Sequence, residues 1–451
     1  MKFRFIVIAV FAAICCISCE KEVAVRSNLQ KGLTIQATAH TSAESASRTS
    51  FDGSKTQWVT DDVMTVMVGE SGSSAFSDYD FTCQDGAKGT FSNNDIELTS
   101  ESEYDFYAVY PTAAVADCDN LSAKITIGAA TQTQESNNPN HIAQLDPLTG
   151  FAQNLQPNSV SIPMKHNAAV MAINVANSLA ESVSVKSLKV VAESEIALCG
   201  TYDIDIVSGE LTNATNTQNE VVVNVANAAV IPQGGFVVYA AIAPCTLPEN
   251  ATLTFVVTDS NNTEYEFTKK FVDGFNIVAG DLLSTSFDLA NAEAITYKPD
   301  FTTVPDGFPT TATAQSEAIY YSYNGKSIGF YNAAGYNYDK DNKLIRFESV
   351  GKNDAASAKI YIPQMAGYKL ASLNISNDIV SQNAHQFSLY NNDGMVLMAG
   401  SGSSAESKYI VSTNEVELKS ASVVTYIRVF ACSTTRVYKC KGLSLRYVKT
   451  E

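Results

Sequence analysis

The segment Val63-Met64-Thr65-Val66-Met67-Val68 is a short apolar run rich in β-branched residues. Similar runs lie further along the chain, at residues 170–175, 221–225 and 253–258. Turn sequences rich in Gly, Asn and Asp separate such runs, and Asp259-Ser260-Asn261-Asn262 is one example. Many brief strands between turns of this kind are typical of antiparallel sandwiches. The sequence shows no long apolar stripe with a period of 3.6 residues, so it predicts an all-β fold with few helices.

The length of 451 residues predicts about three domains, since one domain typically takes ~100–200 residues. The first domain contains the only tryptophan, a first strand at 33–39 and a Gln/Asn/Pro-rich loop at 132–140. The second is expected to end in an edge-like strand within 279–289, and the third holds 14 of the 21 tyrosines. The predicted divisions are a signal segment at 1–18, a tether at 19–32, and domains at 33–157, 158–292 and 293–451.

The N-terminal residues predict export from the cytoplasm. Lys2 and Arg4 lie within a short segment whose unbroken apolar run, 5–14, is typical of a secretory signal and too short to span a bilayer. Cys16-Ile17-Ser18-Cys19 resembles a bacterial lipobox, which implies cleavage before Cys19 and attachment of its thiol to outer-membrane lipid. Cys16 stands where Leu is usual, so plain secretion is the alternative.

The residues after Cys19 indicate an outward-facing protein. Glu20 and Glu22 flank Lys21, an arrangement that resembles the export signal of surface lipoproteins in anaerobic Gram-negative bacteria. The alternative is that the two carboxylates begin a solvated tether.

Charge argues against one class of partner. Without residues 1–18 the chain has 28 basic and 47 acidic residues, a net charge of −19. Such a polyanion is repelled by phosphate backbones, so we expect no nucleic-acid partner.

The chain lacks sequence signatures of catalysis or metal binding. Six cysteines besides Cys19 are too few to cross-link this length, and their spacing matches no zinc motif. We expect buried free thiols, with Cys432 and Cys440 facing each other across a hairpin as the alternative. The four histidines are widely separated, and no nucleophile elbow, Walker loop or dinucleotide motif is present. The sequence therefore predicts no enzyme and no cofactor.

Motifs spread over residues 33–289 resemble the fimbrillin family. Arg48-Thr49-Ser50-Phe51-Asp52-Gly53, followed by Trp58-Val59-Thr60-Asp61-Asp62, resembles the opening of its first domain, and the Tyr-rich segment 104–111 resembles the strand that follows. Residues 163–169 are similar to the start of its second domain, and 236–244 with Gly280-Asp281 to its close. The resemblance implies two transthyretin-like β-sandwiches in tandem, which serve in pili or as surface adhesins.

The resemblance also gives Arg48 and Thr49 a candidate role. In fimbrillins that polymerise, an Arg-specific protease removes the leading strand, and the opened groove accepts a strand from the next subunit. Such donor-strand exchange is β-augmentation, in which a donated strand completes unpaired backbone groups. The alternative is that Arg48 is an ordinary exposed residue in a Ser/Ala/Glu-rich loop.

The third domain resembles the jelly-roll modules found beside adhesins and carbohydrate-binding regions, through Phe301–Pro309 and its last strand at 442–448. Aromatic faces and planar polar groups suit sugars, so we list the following candidates for glycan binding: Tyr320, Tyr321, Tyr323, Tyr331, Tyr336, Tyr338, Asp339, Asp341 and Asn342. The alternative for the tyrosines is packing in the core, because strands favour Tyr. Lys343 stands where a calcium loop needs an oxygen ligand, so an exposed turn is expected at 339–343.

Together these features predict an all-β surface lipoprotein of the outer membrane, with two transthyretin-like sandwiches followed by a jelly-roll-like one. The predicted function is adhesion to a host or dietary glycan or protein, as an accessory or tip pilus subunit or as a stand-alone adhesin. A domain after the second sandwich would hinder strand exchange, which makes a repeating stalk role the less favoured one. The competing hypothesis is a glycan-capturing lipoprotein of a polysaccharide-uptake system.

Overall fold

A computed structural model of the chain describes residues 29–40, 50–51, 56–112, 114–136, 138–377, 385–396, 409–410, 415–431 and 436–450. Strands dominate these residues. Their helical structure consists of α1 (Ile142–Leu145) and 3-10 turns at Gly86–Lys88, Leu289–Asn291 and Asp354–Ala356. Within the described residues, no helix has the length and apolar character needed to cross a membrane. The prediction of an all-β fold is confirmed.

The strands up to residue 166 are β1 (Leu29–His40), β2 (Ser50–Phe51), β3 (Thr56–Gln57), β4 (Val63–Glu70), β5 (Ser77–Asp85), β6 (Thr90–Thr99), β7 (Tyr104–Tyr110), β8 (Val115–Asp117), β9 (Ser122–Ile127), β10 (Thr131–Glu135), β11 (Leu148–Leu155) and β12 (Val160–His166). One closed sheet has the order β1-β12-β11-β7-β4-β5-β6. β1 closes it, because Ile35 lies opposite Val160 of parallel β12 and opposite Phe91 of antiparallel β6.

The predicted first strand at 33–39 is confirmed as part of β1, whereas the predicted tether at 19–32 is wrong for residues 29–32, which begin the same strand. Its alternating residues Leu33, Ile35 and Ala37 are buried, as expected for a strand with one face on a core. The indole N–H of Trp58 donates to the carbonyl of Ala37 at 3.0 Å. β1 therefore contributes both backbone pairing and core side chains to this sheet.

The strands from 169 to 288 are β13 (Ala169–Ala176), β14 (Ser184–Val191), β15 (Cys199–Asp205), β16 (Leu211–Gln218), β17 (Glu220–Val230), β18 (Phe236–Ile242), β19 (Cys245–Leu247), β20 (Ala251–Asp259), β21 (Glu264–Phe271), β22 (Phe275–Ile277) and β23 (Leu282–Asp288). One core lies between the sheet β18-β13-β23 and the strands β17-β14-β20-β21. β23 is at the edge of its sheet, which confirms the edge-like strand predicted within 279–289.

Strands from both sides of residue 157 share sheets. β8 and β9 join β15 and β16 in a four-stranded sheet, with the order β16-β15-β9-β8. β10 pairs in parallel with β17 along the edge of a larger sheet. The segment 115–135 therefore packs with strands that follow it by about 70 residues or more.

The loop predicted at 132–140 is wrong for its first part, because residues up to Glu135 belong to β10. Gln132 and Gln134 are buried, and their side-chain amides pair with the open edge of β18. The amide of Gln132 donates to the carbonyl of Ala241 at 2.7 Å and accepts from its N–H at 3.0 Å. Gln134 does the same with the carbonyl of Val237 and the N–H of Tyr239, both at 2.9 Å. Buried polar side chains are stable here because each satisfies two backbone groups.

The remaining strands are β24 (Ala294–Tyr297), β25 (Ile319–Tyr323), β26 (Lys326–Tyr331), β27 (Tyr336–Asp339), β28 (Leu344–Val350), β29 (Ala358–Tyr361), β30 (Tyr368–Asn377), β31 (His385–Asn391), β32 (Gly394–Val396), β33 (Tyr409–Ile410), β34 (Val416–Ser422), β35 (Tyr426–Ala431) and β36 (Arg436–Lys449). One sheet has the order β25-β26-β29-β35-β31-β32, with β33 also on β31. Facing it are β27, β28, β36, β30 and β34, and an aromatic-rich core lies between the two sheets.

β24 joins this C-terminal part to the preceding one. Ile295 lies opposite Tyr265 of β21 on one side and opposite Tyr447 of β36 on the other. A single eleven-stranded sheet therefore runs through both parts. An ion pair between Arg446 and Glu266, at 3.0 Å, crosses the same junction.

Candidate functional site

Three predicted site residues, Cys19, Arg48 and Thr49, lie outside the described residues. The described strand nearest to Cys19 is β1, which begins at Leu29. Their assignments for lipidation and for proteolytic processing stay predictions.

Four of the predicted glycan-binding tyrosines lie in the core. Each of these four is 9% exposed or less: Tyr321, Tyr323, Tyr336 and Tyr338. The ring centroid of Phe330 lies within 6.2 Å of the ring centroids of the first three. Sugar stacking needs an accessible ring face, which these positions lack. The prediction is therefore corrected for these four residues, because β25 and β27 turn their rings towards the facing sheet.

The hydroxyl groups of this core are mostly paired internally. The Tyr336 hydroxyl donates to that of Tyr321 at 3.2 Å, and the Tyr338 hydroxyl donates to the carbonyl of Thr302 at 2.8 Å. Burial raises the pKa of both Tyr336 and Tyr338. These groups therefore stay neutral donors within the sandwich rather than ligands for an external molecule.

The polar candidates form the turn between β27 and β28. The carboxylate of Asp339 accepts from the backbone N–H of Asn342 at 3.1 Å and from its side-chain amide at 3.0 Å. These bonds lower the pKa of Asp339. Asp341 and Asn342 are exposed. The carboxylate of Asp339 is thus used to close an exposed turn, which the sequence had favoured over a calcium loop.

Tyr320 belongs to a row of partly exposed tyrosines, of which it is the only member predicted from the sequence. Tyr320 is 56% exposed, and the row crosses one sheet through Gly329, Tyr361, Tyr426 and Tyr390, each directly opposite the next. Ring centroids are 5.9 Å apart for Tyr320–Tyr361, 5.2 Å for Tyr361–Tyr426 and 5.1 Å for Tyr426–Tyr390. We call Tyr320, Tyr361, Tyr426 and Tyr390 the tyrosine row.

Gly329 gives the row its continuity. A Cβ at this position would lie 2.7 Å from Cε1 of Tyr320, so the ring occupies the space that any other side chain would fill. The absence of a side chain lets the Tyr320 ring cover β26 and approach Tyr361 on β29.

Basic side chains lie beside the tyrosine row. On the same face of the sheet, two residues along each strand, Lys359 lies directly opposite Tyr331 on one side and Arg428 on the other. The Lys359 ammonium is 5.7 Å from the Tyr331 ring centroid and 5.3 Å from that of Tyr426, within the range of cation–π attraction. Asp354 contacts both cations at 3.2 Å. The described residues of this surface thus combine aromatic rings with two cations and one carboxylate.

A signal for this surface exists in the sequence, although no single segment carries it. Lys359 and Tyr361 flank buried Ile360, and Tyr426 and Arg428 flank buried Ile427. Such alternation places each pair on the same face of its strand. Only the long-range pairing of β29 with β35 brings the two pairs together.

Among the described residues, the histidines and cysteines form no cluster of possible metal ligands. His166 and Asp146 are a buried pair with 3.0 Å between Nδ1 and the carboxylate, and Asp146 also accepts from the N–H of Ala168 at 2.9 Å. Across the residues that the structure describes, no group of three or more His, Cys, Asp or Glu side chains could hold a metal ion. The predicted absence of catalysis, metal and cofactor stays a prediction.

The cysteines that the structure describes are free thiols: Cys83, Cys118, Cys199, Cys245 and Cys440. Cys83, Cys199 and Cys440 are buried, as expected, whereas Cys118 and Cys245 are half-buried. Cys432, the proposed alternative partner of Cys440, lies outside the described residues.

His385 gives a testable pH dependence. It is 2% exposed, and burial together with the charge of Arg436 lowers its pKa to about 4. Because the unfolded chain binds this proton more readily, stability should fall as the pH drops from about 6.5 towards 4. We expect the loss between pH 7 and 4.5 to be about 2 kcal/mol smaller in His385→Gln than in the wild type. Denaturation midpoints at several pH values measure this, and parallel pH profiles would contradict it.

Comparison with known proteins gives a family match. A family model described as fimbrillin-like matches residues 47–302, more than half of the 451 residues. Among curated proteins, none matches the chain.

Solved structures give weaker likenesses. A candidate cell adhesion protein from Bacteroides ovatus is 15% identical with a TM-score of 0.42, covering 59% of this chain and 95% of its own. One from Bacteroides uniformis is also 15% identical, with a TM-score of 0.37 and coverages of 58% and 95%. One from Parabacteroides distasonis is 10% identical, with a TM-score of 0.32 and coverages of 58% and 89%. Since these TM-scores are all below 0.5, the likenesses support no conclusion about function.

Proposed function

The chain belongs to the fimbrillin-like family, and on that premise we propose that it mediates adhesion at the bacterial cell surface. The family match supports the adhesive role, and the signal-like segment with Cys19 supports attachment to the outer membrane through lipid. Several acyl chains on one residue would hold the protein firmly, because each buried CH₂ contributes roughly 0.8 kcal/mol. As part of this proposal we keep the predicted divisions at 33–157, 158–292 and 293–451, with β8, β9 and β10 in sheets with strands of the second division and β12 paired to strands of the first.

The continuous sheet through β24 is the observation that favours a terminal position in a fimbria over a repeating one. Pairing of β24 with β21 occupies an edge that would otherwise accept or donate a strand. The Tyr368 hydroxyl also donates to the carbonyl of Ala292 at 2.7 Å, so the C-terminal part contacts this junction at a second point. The edge of β21 is therefore already paired within the chain and is not available to a strand from a neighbouring subunit.

Donor-strand exchange at the first sheet is the proposed route of assembly. β1 is bound on both sides, by β6 and β12, so its removal after cleavage at Arg48 would leave two strand edges and an apolar groove. The groove would be lined by the residues that now contact Leu33, Ile35 and Ala37. A donated strand with the same alternation would restore both the pairing and the core.

We expect Arg48→Ala to keep the chain at full length, starting at acylated Cys19, and to prevent its incorporation into surface fibres. The wild-type chain should start at Thr49 in fibres, as mass spectrometry of the native protein would show. Arg26→Ala is the matched control, since it removes another arginine upstream and should leave processing intact. Unchanged incorporation of Arg48→Ala would contradict strand exchange by this route.

Immunogold labelling of fibres in negative stain tests the terminal position. Label at fibre ends is the expected result, and label along the whole shaft would contradict a terminal role.

Protease treatment of intact cells tests surface exposure, because a periplasmic protein would survive it.

Glycan capture for a polysaccharide-uptake system is the second candidate function. The tyrosine row, in which Tyr320 is exposed and the other three tyrosines are half-buried on the same face of a sheet, is the observation that favours it. Adhesion and capture differ in the consequence of binding, and both require a ligand surface of this kind.

A further inference from the structure

We propose that the tyrosine row and the cations beside it form a binding surface for an anionic glycan. The inference rests on the proposed surface function and specifies its ligand. The four rings come from β25, β29, β35 and β31, and their side-by-side order is set by continuous backbone pairing across the sheet. The sheet thus supports an extended aromatic band rather than a single ring.

The aromatic part of the surface matches the apolar C–H faces of pyranose rings. Tyr361, Tyr390 and Tyr426 are half-buried, so each is held by its neighbours while part of the residue remains accessible. Tyr390 and Tyr426 are stacked with an interplanar angle of 7°. Cross-strand aromatic pairs stabilise a sheet on their own, but a purely structural role does not require cations over the rings.

Charge complementarity indicates that the glycan is anionic. Lys359 and Arg428 contact the row, and Asp354 is the carboxylate that pairs with both. Among the described residues of this surface, two cations and one carboxylate leave a local positive excess, in a chain whose formal net charge is −17. Arg428 also donates to the Tyr390 hydroxyl at 3.4 Å, which brings its guanidinium to the end of the row. Carboxylate or sulfate groups of a glycan are suitable partners for these donors.

The position of the charges favours a glycan over a protein partner. Cores of protein–protein interfaces are depleted of charged residues, which collect at the rim. Here Lys359 lies between the Tyr331 and Tyr426 rings, in the middle of the surface. A polymer with alternating apolar faces and charged groups along its length matches that arrangement.

The experiment uses the full mature chain and three polysaccharides: polygalacturonate, chondroitin sulfate and neutral amylose. Affinity electrophoresis should show retardation by polygalacturonate or chondroitin sulfate, weakened by added salt, and none by amylose. We expect Tyr426→Ala and Lys359→Gln each to weaken binding about tenfold or more. Tyr79→Ala, which alters a partly exposed tyrosine of the first sheet, is the matched control and should bind as the wild type does.

Failure of this inference is distinguishable from failure of the proposed function. No retardation by either anionic polymer, equal retardation by amylose, or wild-type binding by both Tyr426→Ala and Lys359→Gln would overturn it. Lys359→Gln keeps the test valid if Tyr426→Ala unfolds, because it leaves the rings in place. Cell adhesion that persists in a Lys359→Gln strain lacking glycan binding would leave the adhesive function intact and assign it to another surface.

Discussion

Gln132→Leu should lower the free energy of unfolding by about 2–4 kcal/mol, although it conserves volume. The side-chain amide of Gln132 satisfies both the N–H and the carbonyl of Ala241, and all of these groups are buried. Leu can replace neither bond, and each buried backbone group left without a partner costs ~1–3 kcal/mol. Chemical denaturation followed by circular dichroism measures the loss.

Hydrogen exchange localises the effect. We expect faster exchange in peptides that cover β18 in Gln132→Leu, since that edge loses its partner. Thr133→Ala is the control, because Thr133 lies on the same strand with an exposed side chain. Wild-type stability of Gln132→Leu would mean that the amide pairing contributes little to the fold.

Tyr336→Ala should destabilise the C-terminal sandwich by about 3–5 kcal/mol. The Tyr336 ring is fully buried and lies 5.4–5.8 Å from those of Phe308, Phe330 and Phe347. Its truncation would leave a large cavity among rings that cannot collapse together. Near-ultraviolet circular dichroism during denaturation reports this core, because the ordered tyrosines contribute to the signal.

Two further variants separate packing from surface binding. Tyr336→Phe removes the hydroxyl that donates to Tyr321 and should cost about 1 kcal/mol. Tyr320→Ala alters an exposed ring and should cost less than about 1 kcal/mol. If Tyr336→Ala kept wild-type stability while losing glycan binding, the core assignment of Tyr336 would be wrong.

Much of the fold was predictable from local sequence. The β-rich runs such as 63–68 lie in strands because β-branched residues suit a pleated, half-buried backbone. The edge strand near 282 was recognisable from the turn that precedes it. The loop prediction failed for residues 132–135 because Gln is ordinarily a surface residue. Nothing nearby in the sequence shows that the edge of β18 requires amide partners.

The candidate site was predicted only in part. Tyr320 was identified from the tyrosine-rich composition around it, whereas Tyr361, Tyr390 and Tyr426 were missed. Because side chains alternate along a strand, Tyr320 and Tyr321 must lie on opposite faces of β25. This alternation does not show which of the two faces packs against the core. Both faces of this strand carry aromatic residues, so hydrophobicity gives no contrast between them.

By itself, the sequence determined the all-β class and the fimbrillin-like motifs, because each depends on residues close together in the chain. Only the tertiary structure decided which tyrosines are core and which form a surface row, and that one sheet continues from β21 through β24 to β36. The physical reason is that strand register and neighbour choice are set by pairing between distant segments. The backbone groups that form those pairs are the same in every residue except proline, so local composition does not encode them.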